Sequence, residues 1–363
     1  MQEEDLKHVN KNRYSDLLPS SMLSLALPHR LRSRLPLSSL LTCSFSSTPT
    51  ATPRDYNRWS MVPPAIVAEM SIGAIYASAM WHLPLSTLDG VVCSSPSDFT
   101  LSQLIPMLSA AAGGLGVYST PLGTWIDKVG PVKAGSTGSL LWFTGLMTCA
   151  AGAHLHSLPL IYLGYGGIGG AAWALLYLTP VSVTMKWFPD KRGLATGMTL
   201  SAFGLGAAVA PFFIEGFVDQ FFIAPTFLGD AATTLLSTLP DGTQVLQSSP
   251  STAVVVATAA DAAKVGHGLI PGVYACGTGD AGATGAFAAL ACMYGSAGLV
   301  SSQFMKKPED GWRPEGYEPD MMSTANADIG VPASIAVRTP QFPLLWMTVF
   351  GNAVGGLALI SSR

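Results

Sequence analysis

The stretch Leu163–Pro180 reads LGYGGIGGAAWALLYLTP, and its glycines Gly164, Gly166 and Gly169 have the spacing G-x-G-x-x-G. That spacing is found in pyrophosphate sites at the start of a helix, and small residues also let two helices pack backbone to backbone. A dinucleotide site needs a buried strand before the glycines and an acidic residue about twenty positions further on. Only a tight turn and a few apolar residues precede Gly164, and the apolar run continues to Val183 without an Asp or Glu. The stretch therefore predicts a membrane helix that packs closely against its neighbours.

The overall composition also indicates a membrane protein. Of the 363 residues, 11% are charged and 49% are hydrophobic, whereas soluble domains contain about 25% charged residues. Seven apolar segments approach or exceed the roughly 20 residues that cross a bilayer. They are residues 62–83, 101–125, 134–154, 158–185, 193–214, 282–303 and 342–361. We therefore expect an integral, multi-pass membrane protein whose main partner is the lipid bilayer.

Further small residues favour close helix packing. Gly166 and Gly170 form G-x-x-x-G in the fourth segment, and Gly204 and Gly206 reduce the helix diameter in the fifth segment. Such residues let helix backbones approach each other in lipid, where packing replaces the hydrophobic effect. Residues 277–282, GTGDAG, follow a short run that could be a strand, and we interpret them as a flexible start of the sixth segment.

The polar stretches divide the chain into parts. The predicted parts are a disordered or targeting region at 1–57, a six-helix bundle at 58–303 with an insert at 215–281, a linker at 304–341, and a seventh span at 342–363. Within the first part, residues 18–53 are rich in Ser, Leu and Arg and lack acidic residues, as transit peptides do. A disordered cytosolic tail is the other interpretation of that region.

The insert is too polar to span a membrane and too long for a simple turn. Its β-prone run Ala253–Thr258, AVVVAT, predicts a short hairpin in a small extracytoplasmic cap. Cys93 and Cys276 fall in predicted loops on the cap side, and they could form a disulfide if that side is oxidising. None of the five cysteines has metal-ligand or C-x-x-C spacing. We therefore predict neither a metal nor a cofactor.

The placement of cations predicts the topology. Lys128 and Lys133 lie between the second and third segments, and Lys186, Lys191 and Arg192 lie between the fourth and fifth. Short cytoplasmic loops hold such cations, so the N-terminus is predicted to be cytoplasmic. We expect the plasma membrane, with an organelle inner membrane as the alternative. No basic patch indicates nucleic-acid binding.

Two of these loops resemble known transporter signatures. Residues Gly123–Lys133, GTWIDKVGPVK, resemble the loop between helices 2 and 3 of the major facilitator superfamily, where glycines make a tight turn and Asp127 lies among cations. Lys186–Gly193, KWFPDKRG, resembles the signature between helices 4 and 5 of the oxalate–formate antiporter family, a branch related to monocarboxylate carriers. Lys307–Pro319 and Phe342–Gly356 are similar to that family's linker and seventh helix.

The resemblance implies an all-α fold. Family members have twelve helices in two six-helix bundles, with the substrate held between the bundles. We expect the first bundle here to consist of two inverted three-helix repeats and to be followed by the seventh helix alone. The chain then resembles a truncated transporter, the N-terminal half plus helix 7. Such a chain would form half of a site and show no uptake by itself.

The resemblance also implies substrate-binding residues. A family tyrosine in helix 1, eight residues before Pro-Leu, maps to Tyr76, and its neighbouring glutamine is Ile75 in this chain. The tyrosine of helix 4 maps to Tyr177. Phe203 occupies the helix 5 position at which oxalate antiporters carry tyrosine. Ordinary packing is the alternative role for both tyrosines.

The same two loops supply a candidate cytoplasmic gate. Its residues are Gly123, Asp127, Lys128, Gly130, Lys186, Asp190, Lys191 and Arg192. We expect both aspartates to lie within a few ångströms of cations from these loops, with Lys133 as a further candidate partner. The cluster would then hold the cytoplasmic side closed in one state of alternating access.

Glu69 is the one acidic residue clearly within a predicted span, and no span contains Lys or Arg. Intramembrane carboxylates are costly and often carry protons, so Glu69 is a candidate for proton coupling. It could instead be a neutral, hydrogen-bonded glutamic acid or lie close enough to the cytoplasmic end to reach water. A carboxylate substrate needs compensating positive charge, which the family's second bundle supplies.

Two functions remain open from the sequence. The first is a secondary transporter, not an enzyme, that moves small mono- or dicarboxylates by exchange or with a proton. Ile75, Phe203 and Glu69 favour a monocarboxylate over oxalate. The second is a non-transporting half-bundle that acts as a regulatory or assembly partner. The oligomeric state is left open.

Overall fold

A computed structural model describes residues 57–309 except 232, 233, 235, 240–242 and 248, and then residues 312–314, 316, 317, 338–345, 347, 348 and 351. The N-terminal region 1–56, most of the linker and most of the seventh predicted span lie outside the described residues. Of the seventh span, residues 342–345, 347, 348 and 351 are helical and exposed.

Six long helices and one short helix make up most of the described chain. The bounds are α1 Arg58–Ser86, α2 Leu101–Val129, α3 Pro131–His154, α4 Leu158–Trp187, α5 Arg192–Phe221, α6 Ala259–Val265 and α7 Ala283–Phe304. Two of them change their winding along the way. The middle of α1 is a 3₁₀ helix over Ala74–Trp81, and α4 is π-helical over Tyr162–Ile168.

Five of the described helices are long and apolar enough to cross a membrane: α1, α2, α4, α5 and α7. The exception among the long helices is α3, which matches the third predicted span in position but is rich in Gly, Ser, Thr and Ala. This helix packs against α4 and α7, and small residues suit such a buried place better than a lipid-facing one. The described chain is mostly helical and forms a multi-pass membrane protein.

The glycines of the opening stretch lie in α4 at its contacts with α2 and α3. A Cβ atom built on Gly170 would lie 2.8 Å from the Cα of Gly114, and one on Gly164 would lie 2.5 Å from the carbonyl oxygen of Gly145. Ordinary carbon–carbon contacts are 3.5–4.0 Å, so only glycine fits at these positions. The predicted close packing is confirmed, and the described residues around Gly164 are helical with no strand before them.

Gly204 and Gly206 in α5 differ in their surroundings. A Cβ atom on Gly206 would collide with the carbonyl oxygen of Met70 in α1, which confirms close packing there. A Cβ atom on Gly204 would meet nothing within 4 Å among the described residues. Our prediction for Gly204 is therefore wrong, because that residue is on the exposed side of the helix, where nothing in the described bundle packs against it.

The insert contains a five-stranded antiparallel sheet, so the predicted all-α class does not hold for this part of the chain. The strands are β1 Phe227–Gly229, β2 Leu236–Thr238, β3 Gln244–Leu246, β4 Ser249–Ala257 and β5 Gly272–Ala275, in the order β1-β5-β4-β3-β2. The sequence predicted only a short hairpin, whereas the structure has five strands in this part of the chain. The β-branched run indicated β4 correctly, but its partner strands are three or four residues long and too short to give a pattern of their own.

The sheet packs against the loop that joins α1 to α2. Val92 of that loop contacts a cluster formed by Val255, Ala257 and Tyr274. Cys93 and Cys276 both border this cluster, and both are free thiols. The structure therefore brings the two cysteines to one place without the disulfide that the sequence left open. Burial is the main reason that the pKa of each thiol is raised to about 11.

Candidate functional site

The three predicted substrate residues meet in the bundle. Tyr76 comes from α1, Tyr177 from α4 and Phe203 from α5. The ring of Phe203 lies between the two tyrosines, with centroid distances of 5.3 Å to Tyr76 and 5.5 Å to Tyr177, both edge to face. All three side chains are half-buried. Residues that are far apart in the sequence thus form one aromatic surface.

Trp173 is a fourth member that sequence reasoning missed. Its ring stacks on Phe203 at 6.0 Å with an interplanar angle of 10°, and it lies edge to face with Tyr76 at 5.5 Å. The residue is 3% exposed, and its indole N–H has no hydrogen-bond partner in the described chain. The available signal was its position one helical turn before Tyr177, since residues i and i+4 share a face. We call Tyr76, Trp173, Tyr177 and Phe203 the aromatic cluster.

Two hydrogen bonds hold α1 in place near this cluster. The hydroxyl of Tyr165 donates to the carbonyl oxygen of Ile75 at 2.7 Å. The indole N–H of Trp142 donates to the carbonyl oxygen of Ser71 at 3.1 Å. The Ile75 side chain is fully buried in the bundle core. The residue at the family's glutamine position therefore serves packing, while the adjacent Tyr76 belongs to the aromatic cluster.

Glu69 lies one to two turns before Tyr76 on α1 and is completely buried. Neither of its carboxylate oxygens has a hydrogen-bond partner among the described residues. It lies within electrostatic reach of Tyr177. Because its exposure is zero, the suggestion that Glu69 reaches water is wrong for this conformation. With Trp173 and Glu69, the hydroxyl of Thr179 on α4 is a third buried polar group without a partner among the described residues.

The cations of the six long helices lie at one end of the bundle, which we call the basic end. They are Arg58, Lys128, Lys133, Lys186 and Arg192. The six long helices therefore hold no cation beside the aromatic cluster. No group of three or more His, Cys, Asp or Glu among the described residues could hold a metal ion.

At the basic end, Asp127 forms one of the expected ion pairs. The ammonium of Lys186 donates to its carboxylate at 2.9 Å, which links the end of α2 to the end of α4. Both side chains are exposed, at 39% for Lys186 and 67% for Asp127. The prediction of a cation within a few ångströms of Asp127 is confirmed.

Asp190 pairs with a residue that we did not expect. The guanidinium of Arg58 donates to both carboxylate oxygens, at 2.5 and 3.0 Å, and lies 4.8 Å above the ring of Phe188. The expected partners for Asp190 were loop lysines and Arg192. That prediction is wrong because the start of α1 packs against the loop between α4 and α5, a contact that only the tertiary structure makes. Arg58 holds the pKa of Asp190 below its usual value.

Known proteins resemble part of the chain. No model of a protein family matches it. The chain is 32% identical to the oxalate:formate antiporter of Oxalobacter formigenes over 161 residues, which are 43% of this chain and 34% of that protein. It is 26% identical over 188 residues to an uncharacterized MFS-type transporter, YhjX, of Escherichia coli strain K12, covering 51% of this chain and 44% of the relative. It is 32% identical over 98 residues to monocarboxylate transporter 13 of Bos taurus, covering 26% and 22% of the two chains.

These matches support membership of the major facilitator superfamily over the part of the chain that they cover. The chain spans between 22% and 44% of the length of these three relatives.

The loop that resembles the major facilitator signature makes its turn at Gly130 alone. Gly130 has φ +83° and separates α2 from α3. Gly123 lies inside α2, and a Cβ atom there would meet nothing within 4 Å. The tight turn predicted at Gly123 is wrong, because the helix continues to Val129. Lys128, Lys191 and Arg192 are exposed at the same end.

The start of the linker packs on the basic end of the helical bundle. The indole N–H of Trp187 donates to the carbonyl oxygen of Lys306 at 2.7 Å. Trp312 lies edge to face with Trp187 at 4.8 Å. The amide of Lys306 also contacts the sulfur of Met61 at 3.3 Å. Sequence reasoning assigned no role to Trp187, although it is part of the KWFPDKRG signature.

Proposed function

We propose that this chain provides the first bundle of a secondary transporter for small carboxylates that works by alternating access. The observation that carries the proposal is the convergence of Tyr76, Tyr177 and Phe203 from three helices. The relatives support the substrate class, since their names include an oxalate:formate antiporter and a monocarboxylate transporter. In such transporters the substrate lies between two bundles near the middle of the membrane.

We assign the basic end to the cytoplasm and the sheet-bearing insert to the outside of the plasma membrane. The support is the positive-inside rule: Lys128, Lys133, Lys186 and Arg192 share one end of the helices. The N-terminus then starts on the cytoplasmic side. In the same scheme α1–α3 and the set α4, α5 and α7 are the two inverted repeats.

The ion pairs at the basic end are the candidate gate. Asp127–Lys186 joins α2 to α4, and Arg58–Asp190 joins α1 to the loop between α4 and α5. Alternating access requires one side of the transporter to open while the other closes. These pairs stabilise the closed basic end, and separating them is part of the cost of opening it.

Glu69 is the candidate proton carrier, and a monocarboxylate is preferred over oxalate. A buried carboxylate without a partner is stabilised by protonation. Phe203 has no hydroxyl that could bind the second carboxylate group of oxalate, and the side chain of Ile75 is apolar. Proton uptake by Glu69 would accompany uptake of one negative charge.

The test uses the full-length protein in proteoliposomes with labelled lactate, pyruvate and oxalate. We expect lactate and pyruvate uptake to rise at acidic external pH and Glu69→Gln to flatten this dependence. Glu215→Gln is the matched control, because Glu215 is an exposed carboxylate at the far end of α5. Asp127→Asn should slow exchange without preventing folding. Fast oxalate–formate exchange without a pH response would contradict proton coupling, and absence of all carboxylate uptake would contradict the function itself.

A further inference from the structure

The electrostatics around the aromatic cluster favour a cation. The six long helices carry Lys and Arg at the basic end alone, and the acidic side chain buried in α1, about two turns before Tyr76, is that of Glu69. An anion placed here would meet a carboxylate and the negative faces of aromatic rings. It would also lose hydration without gaining a positive partner, which is costly.

The rings themselves provide a surface that attracts positive charge. Tyr76, Tyr177 and Phe203 are half-buried, so part of each residue is accessible in the described chain. Trp173 supports them from behind by stacking on Phe203 at 6.0 Å. Aromatic faces bind quaternary and protonated amines.

Glu69 adds a buried carboxyl group that no described residue pairs, so it holds a proton unless a cation comes near it. Its two oxygens are buried and without hydrogen-bond partners, and it lies within electrostatic reach of Tyr177. An unpaired buried carboxylate is destabilising unless it is protonated or a cation lies near it. A positive group over the aromatic cluster would therefore be stabilised by the rings and by Glu69 together.

We propose that the aromatic cluster and Glu69 bind the cationic group of a zwitterionic substrate, a small carboxylate that also carries a quaternary or protonated amine. The carboxylate end of such a substrate points away from this bundle, toward the rest of the transport site. This inference rests on the proposed carboxylate transport, and it explains how a bundle without cations in its interior can hold such a substrate.

A pair of probes with the same shape tests the inference. Glycine betaine, (CH₃)₃N⁺–CH₂–COO⁻, and 3,3-dimethylbutyrate, (CH₃)₃C–CH₂–COO⁻, differ in the charge of one central atom. Binding to the purified full chain in detergent is measured by quenching of tryptophan fluorescence and by the shift in Tm. We expect betaine to bind about tenfold more tightly than dimethylbutyrate, as one or two cation–aromatic contacts would give.

Variants test whether Glu69 and the aromatic cluster cause the preference for betaine. Glu69→Gln and Phe203→Leu should each reduce the ratio of the two affinities toward one, whereas the control Glu215→Gln should leave the ratio unchanged. The ratio is the informative quantity, because a general structural defect weakens both ligands alike.

Dimethylbutyrate binding as tightly as betaine, or a preference for betaine that persists in both variants, would overturn the inference. Absence of binding by both probes would overturn it too. These outcomes are separate from failure of the proposed function. Uptake of dimethylbutyrate and lactate by the full-length protein, with no advantage for betaine, leaves carboxylate transport standing and removes the cation site alone.

Discussion

Arg58 and Asp190 are 132 positions apart in the sequence, yet the guanidinium of Arg58 binds both oxygens of the Asp190 carboxylate. The side chains are 19% and 20% exposed, which is far less than the 67% of Asp127 in the neighbouring pair. Two parallel hydrogen bonds with limited solvent access make a stronger ion pair than a single exposed contact. Arg58–Asp190 is therefore the principal electrostatic link between α1 and the loop that follows α4.

Removing the Asp190 charge should weaken the bundle at neutral pH. Arg58 lowers the folded-state pKa of Asp190, so this contribution is fully present above about pH 4, the unfolded-state value, and is lost as the pH falls through the folded-state pKa. We expect Asp190→Asn to cost about 0.5–1 kcal/mol at pH 7 and progressively less as the pH falls below about 4. Thermal unfolding in detergent across this pH range measures the effect. Asp127→Asn, which removes the more exposed pair, should cost less, and an equal cost would contradict the ranking of the two pairs.

Close packing at Gly170 predicts a large effect from a single methyl group. A Cβ atom there would also lie 2.9 Å from the carbonyl oxygen of Ala111, and these backbone atoms cannot move aside cheaply. Gly170→Ala should destabilise the protein by about 1–3 kcal/mol. Gly197→Ala is the control, because nothing lies within 4 Å of its Cβ position and alanine favours a helix. Similar Tm values for the two variants would show that α4 and α2 are not in close contact.

The linker contact predicts protection from protease. Trp187→Phe removes the donor to the Lys306 carbonyl, a hydrogen bond worth about 1 kcal/mol, and Trp312→Ala removes the ring contact. Both variants should be cut faster by trypsin after Lys306. Trp59→Phe alters an aromatic residue at the basic end that contacts Phe188, so its cleavage rate should equal that of the unmodified chain. Cleavage that is equally fast in all forms would argue against docking of the linker.

The raised pKa of Cys93 and Cys276 predicts slow alkylation. With values of about 11, only a small fraction of each thiol is ionised at pH 8, and the thiolate is the reactive form. We expect slow labelling by iodoacetamide in the folded protein, a rate that rises about tenfold per pH unit below pH 11, and fast labelling after unfolding. Mass spectrometry of the labelled peptides reads out each site. Labelling that requires a reductant even after unfolding would instead reveal a disulfide.

The local rules of membrane helices account for what the sequence determined. Apolar length, the absence of charge and the glycine spacing predicted the helical segments in α1, α2, α4, α5 and α7, and excluded a dinucleotide site at Gly164. The sequence did not determine where each helix ends. Helix α5 continues to Phe221 rather than ending near residue 214, because a helix in contact with solvent tolerates polar residues such as Glu215. Tyr76, Tyr177 and Phe203 came from a family resemblance, and the structure brings them together without testing their role.

Contacts between distant residues were decided only by the tertiary structure. The sheet in the insert depends on pairing of strands such as β1 with β5, whose partners lie more than forty positions apart, and short strands carry too little pattern to predict this. In the sequence, nothing distinguishes Trp173 from the other apolar residues of its segment. Its contacts with Phe203 and Tyr76 are visible only in the tertiary structure. Arg58 lay outside every motif, and Asp190 had closer cations in sequence. Periodicity and composition record the environment that each residue needs, whereas the choice of partner depends on how the helices pack against one another in three dimensions.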